Sequence, residues 1–217
     1  MIARFFPIAA AFLALLLASC SNSGLAVLPK SSIRVGGSGK FFGAEQFPTA
    51  APSAKTLAAA ASKPKDRHKM PVYAYSERTR LVRTTAYTCS EDDHLIYGSS
   101  NATGTPLRYS NRVRSAAADW SFYPVGTVFR IAGMPQLFVV DDYGSALTGT
   151  GTVDIYTPSK SLMGAWGRRN VELTIVQWGS VNRSAEILSE RVRHGHCKQM
   201  FANLIRQRPE LARFAQR

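Results

Sequence analysis

Residues 81–180 predict a mainly β domain, a small closed barrel or a sandwich, on three observations. Six short runs rich in Val, Ile, Thr, Tyr and Phe recur across this stretch. Gly, Pro, Asn and Ser punctuate the gaps between them, as tight connections require. The stretch also carries eight basic and eight acidic residues. The formal charge of +13 therefore sits in the flanks rather than on the folded part. A nucleic-acid binder would place basic charge on its recognition surface, so that class of partner is excluded.

The runs are LVRTTAYTC, RSAAADW, TVFRIAG, QLFVVDD, TVDIY and VELTIVQW. Each is short enough for a strand and too short for a helix of ordinary length. One helical segment interrupts them. Thr157 suits its N-cap and Pro158 its first position. Leu162, Met163 and Trp166 then share one face, and Gly167 can end the helix. About a hundred residues bury enough core to fold independently. After the domain, residues 184–214 read as one amphipathic helix. Ile187, Leu188, Val192, Met200, Phe201, Leu204 and Ile205 recur at helical spacing, and Pro209 breaks the run. We read this helix (residues 181–217) as packed on the barrel or on a partner, without chemistry.

The aspartates raise the functional question. Asp141, Asp142 and Asp154 lie close together, beside Val139, Val140, Val153 and Ile155, in a chain with fourteen acidic residues. An aspartate beside glycine or at a strand end often caps a turn by accepting backbone N–H bonds. Asp119 and Asp141 suit that job. A cap is less natural inside Val153-Asp154-Ile155-Tyr156, so Asp154 is the stronger candidate for chemistry. A carboxylic acid can deliver a proton near neutral pH when burial or a like-charged neighbour raises its pKa, and Asp142 could be that neighbour. Glu91-Asp92-Asp93-His94 reads as a solvated loop, because adjacent residues do not converge easily on one ion. No metal or organic cofactor is called for.

The motifs have an order. Thr85-Ala86-Tyr87 and Asn101-Ala102-Thr103-Gly104 come first. Ala116-Ala117-Ala118-Asp119 follows, with Pro124-Val125-Gly126-Thr127 behind it. Val140-Asp141-Asp142-Tyr143-Gly144 and Val153-Asp154-Ile155-Tyr156 complete the set. In this order they resemble the three-aspartate (3D) domain, over about residues 82–180. The resemblance implies a six-stranded double-psi β-barrel, the fold of the catalytic domain of membrane-bound lytic transglycosylase A. It implies cleavage of peptidoglycan glycan strands with formation of 1,6-anhydromuramyl ends, by a monomer. It casts Asp154 as the catalytic acid, with Asp142 supporting it and Asp119 completing the set. Tyr87, Thr103, Gly104, Tyr143 and Gly144 then fall at the substrate groove. Trp120 and Trp166 are further aromatics that could stack on sugar rings, with Trp166 equally suited to the core. The alternative is a non-catalytic barrel that binds peptidoglycan.

The opening residues concern location. MIARFFPIAAAFLALLLASC has one charge, an apolar run and small residues, the anatomy of a secretory signal peptide. Leu17-Ala18-Ser19-Cys20 resembles the bacterial lipobox, which implies lipidation of Cys20 after removal of residues 1–19. The protein would then be tethered in the cell envelope, at the periplasmic face and in the outer membrane rather than the inner. Residues 21–80 hold ten Lys/Arg against three acids, are rich in Ala, Ser, Gly and Pro, and show no sustained period. Residues 20–80 therefore read as a flexible basic tether. Its charge suits anionic headgroups or cell-wall polymers. Cys89 and Cys197 could pair in an oxidising compartment or remain two free thiols.

Overall fold

The computed structural model of the chain describes residues 47–89 and 98–216. The leader, Cys20 and the Glu91–His94 loop lie outside the described residues. Six strands close into a barrel: β1 Thr79–Tyr87, β2 Val113–Ala118, β3 Val128–Ile131, β4 Leu137–Asp142, β5 Val153–Tyr156 and β6 Arg169–Gln177. Each matches one of the six runs read from the sequence. The order around the barrel is β1-β5-β2-β4-β3-β6. The pairs β1/β5 and β2/β4 are parallel, and the others are antiparallel. Two parallel pairs in one small barrel demand crossover connections, and these carry the loops that surround the aspartates.

Strand alternation sorts the side chains. Ala116, Val140, Val153, Ile155, Phe129 and Leu173 are essentially fully buried and form the core with the packed helices. Ala117, Tyr87 and Tyr156 form a second, smaller cluster with Leu147. This is the outcome of a period of two: neighbours along β2 and β5 belong to opposite faces.

Helix α2 is Lys160–Trp166, and its N-cap is Ser159 rather than Thr157. The Ser159 hydroxyl accepts from Leu162 N–H at 3.3 Å. Thr157 instead turns back, and its Oγ donates to the Tyr87 carbonyl at 3.1 Å. Two candidate caps stood two residues apart, and the tertiary bond claimed the first. Gly167 closes the helix at φ 60°, a conformation that favours glycine. Trp166 lies 1% exposed in the core, so it is unavailable to a ligand.

The tail is two helices rather than one. Helix α3 spans Val181–Ser189 and α4 spans Gly195–Gln207, with a 3-10 segment Pro209–Gln216 after them. Ser180 caps α3 by accepting from Arg183 N–H at 3.0 Å. Val192 falls in the intervening turn and is 42% exposed. Leu188, Met200 and Leu204 are at most 2% exposed, and the Trp120 backbone N–H donates to Met200 Sδ at 3.4 Å.

Residues 47–78 are likewise folded onto the barrel, in place of the tether read there. The Ala-rich run forms α1, Ala54–Ala61, since alanine has the highest intrinsic helix propensity. Glu172 on β6 accepts from Ser53 N–H at 2.9 Å and from its hydroxyl at 2.7 Å, which fixes the N-terminus of α1 and suits its dipole. Phe47 is 2% exposed and packs edge-on against Trp166, with ring centroids 5.0 Å apart. Composition concealed this arm because its anchors lie outside the arm itself. Among the described residues, no helix is long and apolar enough to cross a membrane.

Candidate functional site

Strand register brings two of the motif aspartates to one level. Ala117 on β2 pairs with Asp154 on β5 and with Asp142 on β4. The two aspartates are therefore two strand spacings apart, roughly 10 Å between Cα atoms, with the Ala117 methyl between them. On the far side of β5, Asp154 pairs with Thr85 and Tyr156 with Tyr87. The β2/β4 register shifts between Ala116 and Ala117, so Asp141 is the extra residue of a bulge. Bulges redirect side chains, and this one places two consecutive aspartates opposite a single alanine.

Tyr87 links the carboxylates. Its hydroxyl donates to Asp142 Oδ2 at 3.1 Å. Its phenol is pushed well above its ordinary value, first by burial, then by Asp142, Asp141 and Asp154. One carboxylate thus bonds Tyr87, and two more act on it through their charge. Asp142 Oδ1 also accepts from Ala102 N–H at 3.1 Å and from Tyr143 N–H at 2.9 Å. Asp141 Oδ2 accepts from the Ser115 hydroxyl at 2.8 Å. Burial pushes Asp141 up to about 6; the Ser115 bond opposes this, and the Asp142 charge adds to it. Asp141 and Asp142 are each 5% exposed. Asp154 is half-buried between the fully buried Val153 and Ile155, and is the most accessible of the three.

Asp119 lies elsewhere in the bonding pattern. It is fully buried, and its Oδ1 accepts from Ser121 N–H at 2.7 Å and from the Ser121 hydroxyl at 2.6 Å. Its Oδ2 accepts from Gly149 N–H at 2.6 Å. Burial raises its pKa, and these three donors oppose the rise. It is a turn carboxylate that also anchors the loop between β4 and β5.

The other predicted site residues divide in the same way. Asn101 organises the loop before β2: its Oδ1 accepts from Thr103 N–H at 3.0 Å and from the Thr103 hydroxyl at 2.7 Å. Gly104 is exposed, at φ 80° in that turn. Gly144 is half-buried at the start of a 3-10 turn, Ser145–Leu147. Tyr143 faces away from Tyr87: its ring packs edge-on against Trp120 and its hydroxyl accepts from Arg191 at 2.9 Å. Trp120 is fully buried and its Nε1 donates to the Asp142 carbonyl at 2.9 Å, so it supports the site from behind and is unavailable for stacking on a sugar. The sequence reading gave Asp141 the work of a turn cap and did not single out Arg191. Two polar residues in succession at the end of Leu137-Phe138-Val139-Val140 break the period of two, and that break signals the bulge.

Cys89 and Cys197 are free thiols. Cys197 is fully buried beside Tyr143, while the Cys89 sulfur lies 3.6 Å from the Tyr156 hydroxyl. Among the described residues no cluster of His, Cys, Asp and Glu could hold a metal ion. A groove of about 410 Å³ bounded by Glu186, Ser189, Glu190, Phe214 and Ala215 shares no residue with the carboxylate site.

Comparison with known proteins bears on the barrel. Residues 114–177 match the family model described as the 3D domain. Among solved structures the chain is similar to MltA from Escherichia coli, described as having a unique lytic transglycosylase fold, at 22% identity and a TM-score of 0.30. That match covers 37% of this chain and 28% of the other, so the chain spans well under half of that protein's length. No curated protein matches the sequence. The matched segment, Arg114 to Gln177, takes in β2 from its second residue, all of β3 to β6, and the aspartates at 119, 141, 142 and 154.

Proposed function

We propose that this protein cleaves peptidoglycan glycan strands as a lytic transglycosylase, with Asp154 as its acid and base. The observation that carries the reading is the outer face built from β1, β5, β2 and β4. There one half-buried carboxylate, Asp154, and two buried ones, Asp141 and Asp142, all act on the Tyr87 phenol through their charge. Like charges nearby favour a protonated acid, which the first half of the reaction needs. Protonated Asp154 gives its proton to the glycosidic oxygen as the C1–O4 bond breaks. The muramyl C6 hydroxyl attacks C1, and the Asp154 carboxylate accepts the proton released. The ring closes as a 1,6-anhydro product, no water is consumed, and the acid is regenerated. Such general catalysis is typically worth 10²–10⁴-fold. Asp142, held by two N–H donors and the Tyr87 hydroxyl, fixes the local charge.

The test is digestion of purified sacculi by the intact protein, with mass spectrometry of the fragments. Anhydromuramyl ends are the expected product. Binding to sacculi without cleavage would leave a glycan-binding barrel instead. The location belongs to the same proposal: Cys20 carries lipid and holds the protein at the periplasmic face of the envelope, outer membrane in preference to inner. The motive is the lipobox-like Leu17-Ala18-Ser19-Cys20. Cys20→Ala should move the protein from the membrane to the soluble fraction; unchanged fractionation would overturn the anchor.

A further inference from the structure

Two of the donors that hold Asp142 are themselves held from one point. Ala102 N–H and Tyr143 N–H both bond Asp142 Oδ1. The carbonyl of the first and the hydroxyl of the second are taken by a single guanidinium nitrogen. Arg191 Nη1 donates to the Ala102 carbonyl at 2.9 Å and to the Tyr143 hydroxyl at 2.9 Å. Arg191 stands in the turn between α3 and α4, far along the chain from either residue. The turn is pinned in place: α3 is anchored through Ser184, whose Oγ accepts from Val125 N–H at 2.9 Å, and α4 through Met200. Arg191 N–H donates to the Leu188 carbonyl at 3.0 Å, which seats the residue on the end of α3.

We infer that Arg191 is a positioning residue for Asp142, and that the C-terminal helical hairpin sets the geometry of the carboxylate face rather than merely covering the barrel. The inference rests on the glycan-cleaving reading for its functional meaning, but the geometry can be tested without it. Arginine suits the task because its planar guanidinium is always charged and presents fixed donors. Without it, the 101–105 loop and Tyr143 lose their common tie. Both N–H groups then loosen on Asp142, and its charged form loses support.

The test combines ¹³C carboxyl NMR titration of Asp142 with digestion of sacculi, on Arg191→Met, Arg191→Lys and Tyr143→Phe proteins whose circular dichroism is native. In Arg191→Met the Asp142 carboxyl should titrate at higher pH than in the wild type. Turnover should fall roughly 10–100-fold, the cost of a small misplacement in an active site. Tyr143→Phe removes one of the two ties and should move the titration in the same direction by less, which keeps the test available if Arg191→Met does not fold. Arg191→Lys should restore the titration only in part. An unchanged Asp142 titration in a folded Arg191→Met or Tyr143→Phe protein overturns the inference. So does full recovery in Arg191→Lys, because charge alone would then suffice. Failure of the wild type to cut sacculi would overturn the enzymatic reading and leave the titration to decide the role of Arg191.

Discussion

Asp119 and Asp142 look alike in isolation and differ in company. Both are nearly or fully buried, and both accept at least three hydrogen bonds among the described residues. Two of Asp119's three donors come from Ser121, two residues on, and the third is a loop amide. Its bonds therefore close a corner. Those of Asp142 include donors from β1, the 101–105 loop and its own neighbour Tyr143, and its charge acts on Tyr87 together with those of Asp141 and Asp154. An aspartate surrounded by backbone donors is a structural acceptor. One placed among other carboxylates belongs to an arrangement whose charge depends on pH. Burial alone does not separate the two roles; the identity of the neighbours does.

The largest effect expected on this comparison is chemical. Asp154→Asn keeps size and most hydrogen bonding but cannot cycle a proton. It should lower anhydro-product formation by at least about 100-fold, with little change in melting temperature. Full activity in this variant would remove Asp154 from the reaction. Asp119→Asn should show the reverse. One amide N–H₂ must then face either the Ser121 donors or Gly149 N–H, and a buried donor clash should cost roughly 1–3 kcal/mol in denaturant melts. Turnover per folded molecule should stay within about threefold. A loss of turnover without loss of stability would place Asp119 with the carboxylates proposed to carry the chemistry.

A smaller and pH-dependent effect belongs to Asp141. Its folded pKa is raised from 3.8 to about 6, so the native state binds the proton more tightly than the unfolded chain does. That stabilisation is fully present below pH 4 and is lost as pH rises through 6. Asp141→Asn removes the dependence. The variant should gain up to roughly 3 kcal/mol over the wild type at pH 8 and little at pH 4. Parallel stability curves for the two proteins across pH 4–8 would show that Asp141 ionises without strain.

The strands were legible because each buries one face or both, and Val, Ile and Phe mark that pattern directly. Asp154 was legible for the same reason, as a carboxylate where the strand otherwise wants apolar residues. The bulge at Asp141 left only the two successive polar residues as a local trace, since register depends on the partner strand as well as on the run itself. The arm at 47–78 was hidden because its fixed points are Glu172 and the barrel end near Trp166, residues distant in sequence. Thr157 lost its expected place as a cap to a bond with the Tyr87 carbonyl, which no local pattern encodes. Arg191 stood among the other basic residues of the tail, and charge patterning alone marks such residues as solvated.

The seam between β1 and β6 has a kinetic meaning. Thr79 pairs with Thr174, so the first strand of the barrel is closed by the last. β1 also bonds β5, and no pairing joins it to β2, its immediate successor. A chain emerging from a ribosome or a translocon in N-to-C order would hold β1 without either lateral neighbour until residues 153–177 appeared. Long-range pairing of this kind makes folding slow compared with helical domains. An unclosed intermediate exposes strand edges in the meantime. The same topology leaves the barrel unclosed until nearly all of the domain has been delivered.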